Sequence, residues 1–192
     1  MFCAVLYLLR SSCQRHMLRE SAFLIIDTQS VKNTDTVALK GYDAGKKVSG
    51  IKRRIAVAAQ GLPHAVTVTT AEVTERKGAL RSLQCCKCEL KQVQSLLCDS
   101  GYVGRPFVQG AQEILGEHIT VQIAKRSELH TFKVMPKRWI VKRSFAWLAK
   151  NRRLWKNCER RLNTSLQFVH WPSWFYCSKD FEQALTACLT SP

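Results

Sequence analysis

Two short apolar runs, each ending in an aspartate, constrain this chain more than any other feature. Phe23-Leu-Ile-Ile-Asp27 and Ser95-Leu-Leu-Cys-Asp99 lie 72 residues apart. An apolar run of this length reads as a short strand buried on both faces. Each run then delivers a carboxylate to its C-terminal end. If the two strands are neighbours, the carboxylates lie side by side, where they repel one another and favour a cation between them. Hard oxygen ligands suit Mg²⁺ or Mn²⁺, and a pair of such ions serves phosphodiester chemistry. Strand-end aspartates also cap turns, so the pair by itself leaves both readings open.

The rest of the chain supplies the elements for a sheet. Arg54-Ile-Ala-Val-Ala58 and Ala65-Val-Thr-Val-Thr69 read as strands joined through Gly61-Leu62-Pro63. Residues Glu72 to Leu83 and Pro106 to Leu115 read as helices, the second opened by its proline. Ile119 to Ala124 reads as a further strand, and Pro136 opens the longest helix, Lys137 to about Lys156. The order β, β, β, α, β, α, β, α predicts a mixed α/β sheet with covering helices. Val5 to Glu20 reads as a short amphipathic helix, and no fold is assigned after Phe168.

Charge narrows the partner. The 192 residues carry 30 Lys and Arg against 14 Asp and Glu, a net charge of +16, which favours a polyanion. From Lys133 to Asn163 there are eleven basic residues and one acid, Glu159; Lys32 to Arg54 holds seven basic residues against Asp35 and Asp43. On a wheel of the long helix, Val141, Phe145, Leu148 and Trp155 face one way, and Arg138, Lys142, Arg153, Lys156 and Arg160 the other. A merely solvated face normally mixes signs, so the stripe points to a phosphate backbone. The nine cysteines are odd in number and irregular in spacing. Cys85, Cys86 and Cys88 form a C-C-x-C cluster that reads as reduced thiols rather than a zinc site. Met1 to Leu9 is too short to span a bilayer and lacks the basic start of a signal peptide.

At this point four ordered motifs carry a resemblance. They are Leu24-Ile-Ile-Asp-Thr-Gln-Ser-Val-Lys32, Gly41-Tyr-Asp-Ala-Gly-Lys-Lys47, Leu97-Cys-Asp-Ser-Gly-Tyr102, and Pro136-Lys-Arg-Trp-Ile-Val141 with Arg143-Ser-Phe-Ala-Trp-Leu148. From Phe23 to Val169 the chain resembles bacterial insertion-sequence transposases of the DDE class. The resemblance implies a ribonuclease H-like mixed sheet flanked by helices. It also implies Mg²⁺- or Mn²⁺-dependent cleavage and strand transfer of transposon-end DNA, with double-stranded DNA as partner and a homo-oligomer possible. A bacterial, nucleoid-associated cytoplasmic location without membrane contact follows from the same likeness. It assigns the first two catalytic, metal-binding carboxylates to Asp27 and Asp99. Lys46, Lys47, Arg138, Arg143, Lys150 and Arg153 become the expected DNA contacts.

The chain departs from that pattern in ways that bear on activity. The third carboxylate is expected four residues after Arg138, where this chain has Lys142, and an ammonium cannot ligate a metal ion. An acid is usual at position 58, where Ala58 stands. Residues 1–22 read as a remnant of a helical DNA-binding segment, 23–168 as the catalytic domain, and 169–192 as a divergent tail. The expectation is a transposase impaired by Lys142. The alternative is a non-catalytic, basic DNA-binding remnant or inhibitor of transposition, in which Lys142 extends the basic stripe or pairs with Asp27 and Asp99.

Overall fold

The computed structural model describes residues 22–37, 39–61, 63–88, 90–124 and 137–170. The expected helix at Val5 to Glu20, the proline at 136 and the tail after His170 lie outside the described residues.

Six strands form one sheet: β1 (Phe23–Lys32), β2 (Gly41–Asp43), β3 (Val48–Ala58), β4 (Pro63–Thr70), β5 (Ser95–Asp99) and β6 (Thr120–Ala124). The order is β2-β3-β1-β5-β6, with β4 also paired to β3. Antiparallel pairing joins β3 to β1, β2 and β4, while β1, β5 and β6 run parallel. Parallel strands need a crossover, and helices supply it. Helix α1 (Glu75–Cys85) precedes β5 and α2 (Arg105–Leu115) links β5 to β6. Helix α3 (Arg138–Ala149) follows β6.

Local chemistry sets the helix ends. Thr74 caps α1 by accepting from the Lys77 N–H, and Glu75 sits in the first turn, favourable to the helix dipole. Pro106 opens α2, and Gly116 closes it at φ 114°, a conformation that glycine adopts without a side-chain clash. Two clusters of apolar side chains fill the two faces of the sheet. Leu24, Ile26, Leu83, Tyr102 and Phe107 pack on the α1–α2 side. Ile25, Ile55, Val57, Val141 and Phe145 pack on the α3 side. Helices thus cover both faces of a sheet whose central strand β1 is apolar on both, as its first residues predict.

The sequence misjudges the extent of two elements, one too short and one too long. Strand β3 starts at Val48 rather than Arg54 and buries Lys52, Arg53 and Arg54. Each cation is met by a remote acceptor. Lys52 pairs with Asp43 at 3.2 Å. Arg53 donates to the Leu154 carbonyl at 2.6 Å. Arg54 donates to Thr69 Oγ1 at 2.6 Å and to the Val73 carbonyl at 2.8 Å. The long helix is the second correction: it ends at Ala149 rather than Lys156. The Asn151 amide donates to the carbonyls of Leu148 and Trp147 at 3.4 and 3.5 Å, and a 3₁₀ turn, Arg152–Leu154, follows. Arg153, Lys156 and Arg160 therefore leave the helical stripe, and Trp155, expected in the core, is 75% exposed.

Beyond that turn the chain returns to β1. The Asn157 N–H donates to the Lys32 carbonyl at 2.9 Å, and its side-chain amide donates to Asn33 Oδ1 at 3.0 Å. Ser165 Oγ, on a helical stretch over residues 162–170, donates to Asn157 Oδ1. Val169, in the same stretch, is fully buried in the α3-side cluster.

Candidate functional site

Sheet register brings the two aspartates together. Strands β1 and β5 pair in parallel through Ile26 and Cys98, and one step further sets Asp27 beside Asp99. Neighbouring strands lie about 4.8 Å apart. Strand alternation points both side chains to the α3 face, since Ile25 and Leu97, two residues earlier, pack there. Asp27 Oδ1 accepts from the Thr28 N–H at 2.7 Å, and Asp99 Oδ1 accepts from the Ser100 N–H at 2.7 Å.

Helix α3 brings a cation to this end of the sheet. Arg138 Nη2 donates to Asp99 Oδ2 in an ion pair about a quarter exposed. Burial raises the Asp27 carboxyl above the usual aspartate range, and the Asp99 charge adds to that rise; the Thr28 N–H, Arg138 and Lys46 oppose it.

A second arm reaches the site from the β2–β3 turn. Asp43 is buried and accepts from Ser30 Oγ at 2.7 Å and from the backbone N–H groups of Gly45 and Lys46 at 3.1 and 3.3 Å. Burial would raise its carboxyl, but the Ser30 and Lys52 hydrogen bonds and the Lys52 charge outweigh this and hold it below the usual range. The ordered turn aims Lys46 across β1. Its Nζ lies 3.4 Å from the Thr28 carbonyl and 3.2 Å from Glu75 Oε1.

Beside Asp27 opens a cleft of about 450 Å³, lined by Thr28, Gln29, Ser30, Lys46, Lys142, Phe145, Ala146 and Ala149. Lys142 lies one helical turn after Arg138 and is exposed. The four ion pairs among the described residues do not include it. Of the two roles the non-catalytic alternative offers Lys142, the salt bridge to Asp27 and Asp99 does not form among the described residues: Arg138 pairs with Asp99.

The family model of the transposase DDE domain matches residues 19–171. The chain belongs to that family. A chain in the cryo-EM structure of the simian T-cell lymphotropic virus intasome in complex with PP2A regulatory subunit B56 gamma is similar in fold. Its TM-score is 0.50 at 14% identity, over 78% of this chain and 46% of that chain, so this DDE transposase domain spans less than half of that longer chain. The fold is ribonuclease H-like, as the motifs led one to expect. No curated protein matches the sequence.

Within this DDE domain the fold gathers Asp27, Asp99, Arg138 and Lys46, and Lys142 lines the neighbouring cleft together with Lys46. The other expected DNA contacts scatter. Lys47 is exposed in the β2–β3 turn at φ 53°, and Lys150 is exposed just past α3. The Arg143 guanidinium lies between the Trp139 and Trp147 rings, 4.7 and 4.8 Å from their centroids, and donates to the Gln60 carbonyl at 3.2 Å. Arg153 donates to Glu159 at 3.0 Å and covers the Phe168 ring. Position 58 lies three residues from Asp27 along the β1–β3 register, since Ala58 pairs with Leu24, roughly 10 Å from the carboxylate.

Sequence reasoning missed Glu75 and the role of Asp43. Glu75 approaches Gly101 so closely that a Cβ there would lie 2.1 Å from Glu75 Oε2. The signal for Glu75 was a threonine cap followed by an acid; for Asp43 it was Asp-Ala-Gly, a turn-former after a short strand.

DDE-family domains generally act with divalent metal ions, and the donor set here fits that role poorly. Both oxygens of Asp99 are engaged, one by Arg138 and one by Ser100. The cleft beside Asp27 is lined by two lysines, Lys46 and Lys142, and by no carboxylate. Among the described residues no three His, Cys, Asp or Glu side chains converge to hold a metal ion, and the cysteine cluster contributes none. Cys85 and Cys88 are exposed and unbridged. No helix of the described residues is long and apolar enough to cross a membrane.

Proposed function

We propose that this chain is a transposase-type domain that holds double-stranded DNA at transposon ends but does not cut it. Asp27 and Asp99 keep the positions of the first two catalytic carboxylates. Lys142 occupies the position of the third, and that single substitution carries the reading. In an active relative the metal ions activate an attacking oxygen and stabilise a leaving one. Here the chain's own cations take over the electrostatic work: Arg138 neutralises Asp99, and Lys46 lies close enough to Asp27 to favour its ionised form. DNA contact falls to Lys46, Lys47, Arg138, Lys150 and the exposed part of Arg153, with Arg143 contributing through its partly exposed edge. The proposed catalytic-type unit is residues 23–168. Burial of Val169 supports extending its folded part to that residue. Residues 1–22 are the proposed remnant of a DNA-binding segment, and 169–192 the divergent tail.

The test is incubation of the purified chain with DNA bearing the element's terminal repeats in Mg²⁺ or Mn²⁺. The expected outcome is binding that weakens steeply with salt, as phosphate contacts release counterions, and no strand cleavage. Robust cleavage that disappears in Asp27→Ala would sink the claim of inactivity.

A further inference from the structure

The cleft beside Asp27 has a chemistry that the loss of a metal ligand does not by itself explain. Two lysines line it, Lys46 from the β2–β3 turn and Lys142 from α3. Lys46 is fixed in place by the Asp43-capped turn, the Thr28 carbonyl and Glu75. Lys142 makes no hydrogen bond or ion pair among the described residues, and the Gln29 amide beside it makes none either. The hydroxyls of the floor are committed elsewhere, Thr28 with Tyr102 at 2.7 Å and Ser30 to Asp43 at 2.7 Å. Phe145, Ala146 and Ala149 make the remaining wall apolar. Glu75 already offsets much of the Lys46 charge, so the uncompensated charge of the cleft is that of Lys142. An apolar wall strengthens any ionic contact made against it, and an anion there relieves that charge.

We infer that this cleft is a metal-independent phosphate site, in which Lys142 and Lys46 hold a DNA backbone phosphate. The inference rests on the DNA-binding reading and deepens it. A glutamate at 142 would give the cleft an acid that must recruit a metal ion before a phosphate can approach. Lysine supplies the positive charge from the chain itself. Binding should therefore need no divalent ion, and the Gln29 amide stands ready as a further donor to the phosphate oxygens.

The experiment is fluorescence anisotropy of a short labelled duplex with the full chain in EDTA. It compares the native protein with Lys142→Glu, Lys142→Gln and a control, Lys87→Glu. Lys87 is exposed just past the C-terminal end of α1, the end away from Glu75 and the site. Lys142→Glu should weaken binding about tenfold and reduce the salt slope by about one, the signature of a lost phosphate contact. Lys142→Gln should do so less, and Lys87→Glu should change binding least. Added Mg²⁺ should restore affinity to Lys142→Glu and not improve the native chain. Inorganic phosphate at matched ionic strength identifies the source of the anion. Displacement of DNA from the native chain and not from Lys142→Gln supports a site that also accepts free phosphate; no displacement beyond that by KCl supports the backbone alone. The inference is overturned if native binding requires Mg²⁺, if Lys142→Glu binds like the native chain, or if Lys87→Glu loses as much. A native chain that binds DNA while Lys142→Glu is unaffected removes only this inference. A native chain that binds no DNA in any buffer removes the functional reading beneath it.

Discussion

Asp43 and Asp99 are built from the same parts and end in opposite situations. Each stands at the C-terminal end of a strand, accepts from the N–H groups of a following turn, and pairs with a cation on another element. The Asp43 carboxylate and its Lys52 partner are 9% and 7% exposed; the Asp99 carboxylate and its Arg138 partner are 25% and 23% exposed. The first pair is sealed beneath the β2–β3 turn and orders it. The second lies where the sheet meets solvent, open to a ligand. Two turn-capping aspartates thus end sealed or open to solvent according to how deeply each one's partner is buried, and this molecule contains both outcomes.

The sharpest way to break that comparison is to remove the sealed carboxylate. Asp43→Ala strands a buried ammonium, and breaking a buried pair from one side costs about 3–5 kcal/mol. A urea melt should show the midpoint fall with an unchanged slope; a loss under roughly 1 kcal/mol would place this pair with ordinary surface bridges.

Asp27 gives a smaller effect of opposite sign. Its folded-state pKa is raised, chiefly by burial. The folded chain therefore binds its proton more tightly than the unfolded chain, and stability declines as pH rises from the unfolded value of 3.8 through the folded one. Asp27→Asn should stabilise the protein at pH 7 by up to about 2 kcal/mol, because it removes a charge that burial penalises. That gain should shrink as pH falls towards 3.8, and thermal melts at a series of pH values would show it. A gain that is the same at every pH would mean that ionisation is not its cause.

Asp99→Asn should be the mildest of the three. Its pair is partly exposed, so stability should change by less than about 1 kcal/mol. The freed Arg138 should meanwhile tighten DNA binding a few-fold, read by anisotropy. Weaker binding would show that Asp99 orients Arg138 towards DNA rather than withholding it.

The strands carrying Asp27 and Asp99 were legible because Leu24-Ile-Ile26 and Leu96-Leu-Cys98 have no polar face to offer solvent. That forces them to the middle of a sheet, where they become neighbours. The buried cations of β3 were not legible. Lys52-Arg-Arg54 reads as surface, and only remote acceptors such as Asp43, Val73 and Leu154 make its burial tolerable. The overrun of α3 has a similar cause. Nothing between Ala149 and Lys156 forbids a helix by propensity. What ends it is Asn151 competing for backbone carbonyls, together with the pull of Arg53 on Leu154. In the candidate site, the nearness of Asp27 and Asp99 follows from their ending those two strands. The partner of Asp99 and the aim of Lys46 depend on a helix and a turn whose placement is tertiary.

The clasp at Asn157 has a consequence for how the protein comes into being. Asn157 meets Asn33 across 124 residues of chain, and Ser165 must arrive before that amide is satisfied. The edge of β1 beyond Asp27 cannot be sealed until nearly all of the described sequence has left the ribosome. Contacts of such long range slow folding, because the entropy of closing the loop is lost before the contacts form. A nascent chain stalled near residue 150 would lack this clasp. Synthesis of this domain thus has a late checkpoint, set by one asparagine far from the chemistry.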